Sequence, residues 1–477
     1  MAANPVVPGS ARWSSRAAFV LAATGSAVGL GNLWRFPTEA GMNGGGAFVA
    51  LYILCVLLIA APLLLAETLI GRHGQRSTIG SAVHLARESG ASPLWGSLAV
   101  VGLIANTLIL TFYCVVAGWV MHFVISSGSD LIGALAGGNA LAGAYADSSV
   151  AEIRQIMPAL FSDPTMMVVW QAVFVALTVF IVARGVKGGI EVAAVWLMPT
   201  FFLLLLGITI YSSITGDFAR AVNFLFAPDW SAAFQPGVIN AALGQAFFSL
   251  SLGGGAMIAY GAYASRETKL GETSGIIAFA DTGVAIIAGL AIFPIVFSVG
   301  LEPNAGPTLM FQTLPAAFHS MPGGAIVGFA FFVLALFAAI TSSVSLLEIS
   351  VAWVTERFKA PRTLAALVIG LFVFGVGLLS ALSFNLLADQ RPLPFIPGFE
   401  NFGWFDAIDG ITSKLMLPLS GLITAIFIGW FADKRLVNAE TDLSGGVLKA
   451  WRFLIAFVCP LAVGAILVLG LFPQILA

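Results

Sequence analysis

Apolar residues run along this chain in long blocks, and the short stretches between the blocks hold most of the charge. A bilayer core requires roughly 20 apolar residues per helix. Blocks at about 15–38, 45–71, 93–126, 166–183, 190–214, 235–264, 273–300, 323–356, 362–385, 405–431 and 448–474 therefore predict eleven membrane-spanning helices. The third and eighth are longer than the core requires, which predicts strong tilt. Between the seventh and eighth, GPTLMFQTLPAAFHSMPGG is bounded by Pro and Gly and is too short to cross twice. It is expected to form a re-entrant or capping hairpin.

Two blocks are interrupted, the first at VGLGN (28–32) and the sixth at SLSLGGG (249–255). Glycine costs about 1 kcal/mol relative to alanine in a helix interior. Backbone freed at membrane depth is tolerated only where it lines a cavity or is buried in protein. Gly25 and Gly29 also form a GxxxG pattern, which alone signals close packing. Asn32 and Arg35 in the first break, and the serines in the sixth block, point instead to a site. The breaks are five spans apart, so the two halves would have opposite orientation. An inverted repeat with one broken helix in each half is a pointer to a midplane transport site. Half-helix N-termini there offer N–H groups to an anion, and unwound carbonyls offer oxygens to a cation.

Composition narrows the class. Of 477 residues, 59% are hydrophobic and 9% charged, against about 25% charged in soluble domains. The chain reads as an all-α integral membrane protein without a separate soluble domain. Net charge is −2 and the basic residues form no patch, so no nucleic-acid partner is indicated. The first residues, MAANPVVPGSARWSSR, do not read as a signal peptide. Cys55, Cys114 and Cys459 lie dispersed in apolar segments, which suggests no disulfide framework. His73, His84, His122 and His319 show no metal-ligand spacing, and no catalytic constellation suggests an enzyme. GLGNLW lacks the preceding strand and final glycine of a nucleotide loop. With a cytoplasmic N-terminus, sixteen of the 21 Lys and Arg residues fall inside, a strong positive-inside asymmetry. An odd helix count then places the C-terminus outside a plasma (cytoplasmic) membrane.

GSAVGLGNLWRFP (25–37), NGGGAF (43–48), GQAFFSLSLGGG (244–255) and AAITSSVSLLE (338–348), in this order, resemble the neurotransmitter:sodium symporter family. The resemblance runs from about Trp13 through the last span and is closest to the shorter prokaryotic amino-acid branch. It implies a first repeat at about 13–215, a second at about 235–431 and an extra helix at about 448–474. It also implies two sodium ions and no organic cofactor. The first ion would use Ala27, Asn32, Ser249 and Asp281, and the second Gly25, Val28, Ala338, Thr341 and Ser342. Such all-oxygen sets suit a hard cation. Asp281 lies at the centre of a span, where a carboxylate costs about 2.5–3.5 kcal/mol on insertion scales and is functional by default. Chloride-dependent relatives carry an uncharged side chain there, so Asp281 is expected to make transport chloride-independent.

By the same resemblance, Leu30 and Gly31 N–H groups and the Tyr113 hydroxyl hold a substrate carboxylate, with Ser26, Ala27 and Ser249 completing the set. Monoamine carriers have an aspartate at the position of Gly29, so this chain is expected to demand an amino acid. Ile109, Phe248, Ser251, Gly254, Ser342 and Leu346 would line an apolar side-chain pocket, made roomier at Gly254. A large neutral side chain fits best: Leu, Met, Phe or Trp. Arg35 would close an outer gate with Asp409, Asp406 being a second acid nearby, over a lid of Tyr113 and Phe248. An inner gate would pair Arg12, beside Trp13, with Glu356, since Ser10 stands where relatives have the arginine. Gly188-Gly189 and Pro199 suggest either a span that unwinds on its inner side or an ordinary proline kink. The resulting expectation is a sodium-coupled importer working by alternating access, with a non-transporting amino-acid sensor on the same fold as the alternative. Whether the chain acts alone or as an oligomer is left open.

Overall fold

The computed structural model describes residues 13–139, 141–303 and 309–471, and these contain helices and connecting loops but no strand. The first apolar block forms two helices, α1 (Arg16–Ala27) and α2 (Gly31–Met42), bent by 47° at the break. Then follow α3 (Gly46–Gly74), the short amphipathic α4 (Thr78–Glu88), α5 (Pro93–Ala136), α6 (Pro164–Ala183) and α7 (Val186–Thr215). The sixth block is again two helices, α8 (Pro236–Ser249) and α9 (Ala256–Ala262), with six residues between them. The chain closes with α10 (Leu270–Ser298), α11 (Gly324–Phe358), α12 (Arg362–Leu382), α13 (Trp404–Phe431), α14 (Lys434–Thr441) and α15 (Gly445–Ala465). By length and apolarity, nine of the described helices are long enough to cross a membrane, or ten with the bent α1–α2 pair. The expected count of eleven also included the sixth block, whose two pieces are separately too short.

Four of the blocks, and the hairpin between the seventh and eighth, contain a widened π turn that ends two residues before a proline. These are Gly31–Arg35 before Pro37, Val56–Ala60 before Pro62, Leu309–Thr313 before Pro315, Ile411–Met416 before Pro418 and Leu454–Val458 before Pro460. Proline lacks an N–H and its ring crowds the carbonyl four residues back. Widening the preceding turn lets the residue just before it reach further. Phe36 N–H bonds Gly31 O, Ala61 N–H bonds Val56 O, and Cys459 N–H bonds Leu454 O. The helix thus continues past the proline instead of breaking. In α7, by contrast, Gly188-Gly189 lies in the opening π turn and the helix runs through Pro199 without unwinding.

The expected hairpin between the seventh and eighth spans is two short turns, Leu309–Thr313 and Leu314–His319, with Leu309, Met310, Phe311 and Phe318 buried. It is pinned by Ala144 N–H to Phe318 O at 3.1 Å. The first part of that segment lies outside the described residues.

At the end of the molecule that holds Trp13, α14 folds back onto α3. Arg72 Nε donates to Glu440 Oε2 at 2.7 Å and Arg266 Nη1 to Glu440 Oε1 at 2.9 Å. Burial opposes ionisation of Glu440, but His73, Arg72 and Arg266 outweigh it and hold its pKa below the ordinary value.

The second half of the broken sixth block, α9, packs on α3 through paired glycines. A Cβ at Gly71 would collide with Ile258 O and lie 2.8 Å from Ala262 N, both backbone atoms that cannot yield cheaply. Gly71→Ala is therefore expected to destabilise the fold by about 1–3 kcal/mol, the usual cost of overpacking. The readout is a lowered thermal-unfolding midpoint in detergent. Gly283→Ala, where a Cβ meets nothing within 4 Å, should leave that midpoint unchanged or raise it.

Candidate functional site

The two breaks face each other. At the first, Val28 leaves the helix with extended backbone, its N–H still donating to Thr24 O at 2.6 Å, and Leu30 and Gly31 open α2. The first N–H groups of a helix have no intrahelical acceptor, so this end offers donors. At the second, Ser251, Gly253 and Gly255 all have positive φ, at 52°, 75° and 78°. Glycine takes that conformation freely, whereas for Ser251 it is uncommon. Gly253 N–H donates to the buried Glu67 at 2.7 Å, and the other Glu67 oxygen has no partner among the described residues. Asn106 Nδ2 donates to Gly254 O. Cross-links tie the breaks together: Ser251 Oγ to Ser26 O at 3.3 Å and Gln245 Nε2 to Gly31 O at 2.9 Å.

Of the first expected cation set, Asn32, Ser249 and Asp281 meet in one fully buried cluster. Asn32 Nδ2 donates to Asp281 Oδ1 at 2.8 Å, to Asp281 O at 3.0 Å and to Ser249 Oγ at 3.1 Å. Ser249 Oγ donates to Asp281 Oδ2 at 2.6 Å, and the Tyr52 hydroxyl lies 3.3 Å from the same oxygen. Asn32 Oδ1 accepts from Gly29 N–H at 3.0 Å, so both ends of this amide are engaged. Of the second set, Ser342 Oγ lies 3.4 Å from Gly25 O, and Thr341 Oγ1 bonds Phe337 O and Ala338 O at 3.1 and 3.2 Å. A Cβ on Gly25 would approach Thr341 Cβ to 3.2 Å, so α1 and α11 touch at this point. Val28 stands at the break itself.

Between the two clusters is a cavity of about 40 Å³, room for a few waters. Ser26, Ala27, Leu30, Gly31, Ile109, Tyr113, Phe248, Ser251, Ser342 and Leu346 line it, with Gly29, Asn106 and Leu417. The Tyr113 hydroxyl is buried and makes no well-formed hydrogen bond among the described residues, although Leu30 N–H and the Ser342 hydroxyl face it. A Cβ on Gly29 would strike Ser342 Oγ and come within 3.3 Å of that hydroxyl.

Two expected pocket residues do not line the cavity. Ser249 turns to Asp281. Gly254 does not widen the pocket, because the Asn106 amide occupies the space in front of it: a Cβ there would lie 2.6 to 2.8 Å from three Asn106 atoms. Asn106 was missed although its spacing from Ile109 and Tyr113 puts all three on one helix face. Leu417 carried no signal beyond being apolar.

Phe248 lines both this cavity and a second one of about 160 Å³, whose other walls are Trp34, Arg35, Thr38, Glu39, Phe112, Phe405 and Asp409. Arg35 stacks over the Phe248 ring at 4.4 Å and its Nε is 3.9 Å from Glu39. No ion pair joins Arg35 to Asp409 among the described residues; the two share a cavity wall, and Asp406 does not line it.

At the opposite end, Trp13 Nε1 donates to Tyr260 O at 3.2 Å and its ring sits edge-on to Tyr260 and Tyr263. Arg12 lies outside the described residues. Glu356 accepts from Ser77 N–H, at the start of α4. One ion pair that the sequence did not point to is Glu348–Arg362, fully buried at Glu348, with the Tyr263 hydroxyl donating to Glu348 at 2.7 Å.

Comparisons with known proteins agree with this geometry. A sodium-dependent transporter of Bacillus subtilis, YhdH, is 35% identical over 95% of this chain and 96% of its own length. A sodium-dependent transporter of Haemophilus influenzae is 32% identical over 96% of this chain and 98% of its own. Among solved structures, MhsT in complex with L-phenylalanine matches with a TM-score of 0.85 and 40% identity, over 96% of this chain and 99% of that one. The sodium:neurotransmitter symporter profile matches residues 10–134 and 152–474. The chain belongs to the sodium:neurotransmitter symporter family, a family of sodium-dependent membrane transporters rather than enzymes.

Proposed function

We propose that this protein imports a neutral, hydrophobic or aromatic L-amino acid together with sodium by alternating access. The observation that carries the reading is the buried Tyr113 hydroxyl, without a well-formed hydrogen bond, facing the start of α2. A buried polar group without a partner costs about 1–3 kcal/mol. A substrate carboxylate between this hydroxyl and the Leu30 and Gly31 N–H groups removes that cost. With Gly29 in place of an acid, the carboxylate must come from the substrate. The pocket offers no charged partner for a side chain, and MhsT, of similar fold, is known in complex with L-phenylalanine. The cavity has room for a few waters, so binding an amino acid of this size requires its lining side chains to move apart.

One sodium ion would sit with Ala27, Asn32, Ser249 and Asp281, where Asn32 Nδ2 now supplies the positive end against the carboxylate. A second would sit with Gly25, Val28, Ala338, Thr341 and Ser342. In the topology of this reading, the sixth block completes eleven spans and two inverted five-helix halves, with the N-terminus in the cytoplasm and the C-terminus outside the plasma membrane. The fixed charge of Asp281 takes the part that a chloride ion plays in relatives uncharged there. Sodium supplies the drive: each charge moved down 100 mV yields about 2.3 kcal/mol.

Tyr113→Phe is expected to weaken sodium-dependent binding of radiolabelled L-phenylalanine by about 10- to 100-fold, the worth of a buried hydrogen bond to a charged group. An unchanged affinity would remove the carboxylate assignment. Wild-type uptake should be the same in chloride and gluconate. Asp281→Asn should lower uptake in gluconate and recover part of it in chloride, and a chloride requirement in the wild type would contradict the role given to Asp281.

A further inference from the structure

The histidines that look scattered in the sequence are not all scattered in space. His73, in the last turn of α3, meets His84 and Glu88, which are one turn apart on α4, and their ligand atoms all lie within 4.8 Å of one another. His73 Nε2 is 2.7 Å from Glu88 Oε2, and His84 Nε2 is 3.4 Å from Glu88 Oε1. The two imidazoles stack with centroids 5.9 Å apart. Behind them, His73 Nδ1 is 3.2 Å from Glu440 Oε1.

A neutral imidazole carries one N–H. With the His73 N–H directed at Glu440, Nε2 presents a lone pair to an oxygen of Glu88. Two lone pairs at that distance require a positive centre between them, either a second proton or a metal ion. His84 Nε2 faces the same carboxylate, so one ion would satisfy three atoms at once. A carboxylate behind a metal-bound histidine fixes its tautomer and raises its basicity, which is the place Glu440 occupies.

The charge around the cluster selects the kind of ion. Arg72 and Arg266 pair with Glu440, and Arg76 and Arg266 both act electrostatically on His84. Glu88 is the acid whose oxygens face the Nε2 atoms of both histidines. Two nitrogens and one carboxylate suit zinc-like cations, whereas calcium and magnesium demand oxygen shells. Zinc–nitrogen bonds of about 2.0–2.1 Å need only small rotations of the partly exposed His84 and Glu88 side chains.

We propose that His73, His84 and Glu88 form a three-ligand site for a zinc-like divalent cation, open to solvent at a fourth position, with Glu440 orienting His73. A bound ion would fasten the end of α3 to α4. On the transport reading above, it would stiffen the α3–α4 junction against any rearrangement, but binding itself does not depend on that reading.

The test is a Co²⁺ titration of the purified full chain without a polyhistidine tag, followed by visible ligand-field absorption in the absence of substrate. A saturable one-to-one spectrum displaced by Zn²⁺ is expected. His84→Ala and Glu88→Gln should each weaken Co²⁺ binding by more than about tenfold, with the metal-free thermal midpoint near wild type as the check on folding. His122→Ala, remote from the cluster, should bind as the wild type does. No absorption, or binding indifferent to His84→Ala and Glu88→Gln, would overturn the site and assign the contact to a shared proton.

Discussion

The carboxylate of Asp281 is fully buried beside two broken helices, and the rest of the site is arranged around satisfying it. A lone ion at this depth would be prohibitive, and buried charge survives only when paired or richly hydrogen-bonded. Asn32 from the first break, Ser249 from the edge of the second and Tyr52 from α3 all reach it. Those contacts join four separate helices. Removing the acid would leave their donors facing one another. On the proposed reading, a sodium ion would be a second way to neutralise the same oxygens, which would link the stability of the breaks to the transported ion.

The breaks impose their own demands on the surroundings. Gly253 turns under the α13 backbone, where a Cβ would collide with Leu417 O, and hands its N–H to Glu67. α9 can follow only because Gly71 and Gly261 let α3 approach it backbone to backbone. Closing each break costs close packing elsewhere, and small residues supply it. Asn106 then fills the space that Gly254 leaves, so the glycine serves the amide and does not enlarge the pocket.

Much of this was legible in the sequence. The apolar blocks located most spans to within a few residues, the third helix running ten residues past its block to Ala136, and the breaks followed from glycine with polar neighbours inside those blocks. Asn32, Ser249 and Asp281 stood out because polar groups at membrane depth need a reason. The misses have physical causes. Asn106 was hidden in a long apolar helix, where only its spacing from Ile109 and Tyr113 marked it. Five prolines follow a widened turn, a regularity present in the sequence but visible only once hydrogen bonds are traced. Arg35 is expected to pair with Asp409, yet it stacks on Phe248 and lies 3.9 Å from Glu39, because a ring face and a nearer acid offer a guanidinium alternative partners. His73 lies in a different helix from His84, so linear spacing could not reveal their meeting.

On the proposed reading, sodium binding at the paired breaks drives an amino acid across the membrane. The most direct test is uptake of radiolabelled L-phenylalanine into proteoliposomes in chloride-free buffer, comparing inward sodium with inward potassium gradients. Accumulation above the external concentration with sodium, collapsing when the gradient is dissipated, is the predicted result. Sodium-dependent binding without accumulation would contradict it and identify a sensor built on a transporter fold.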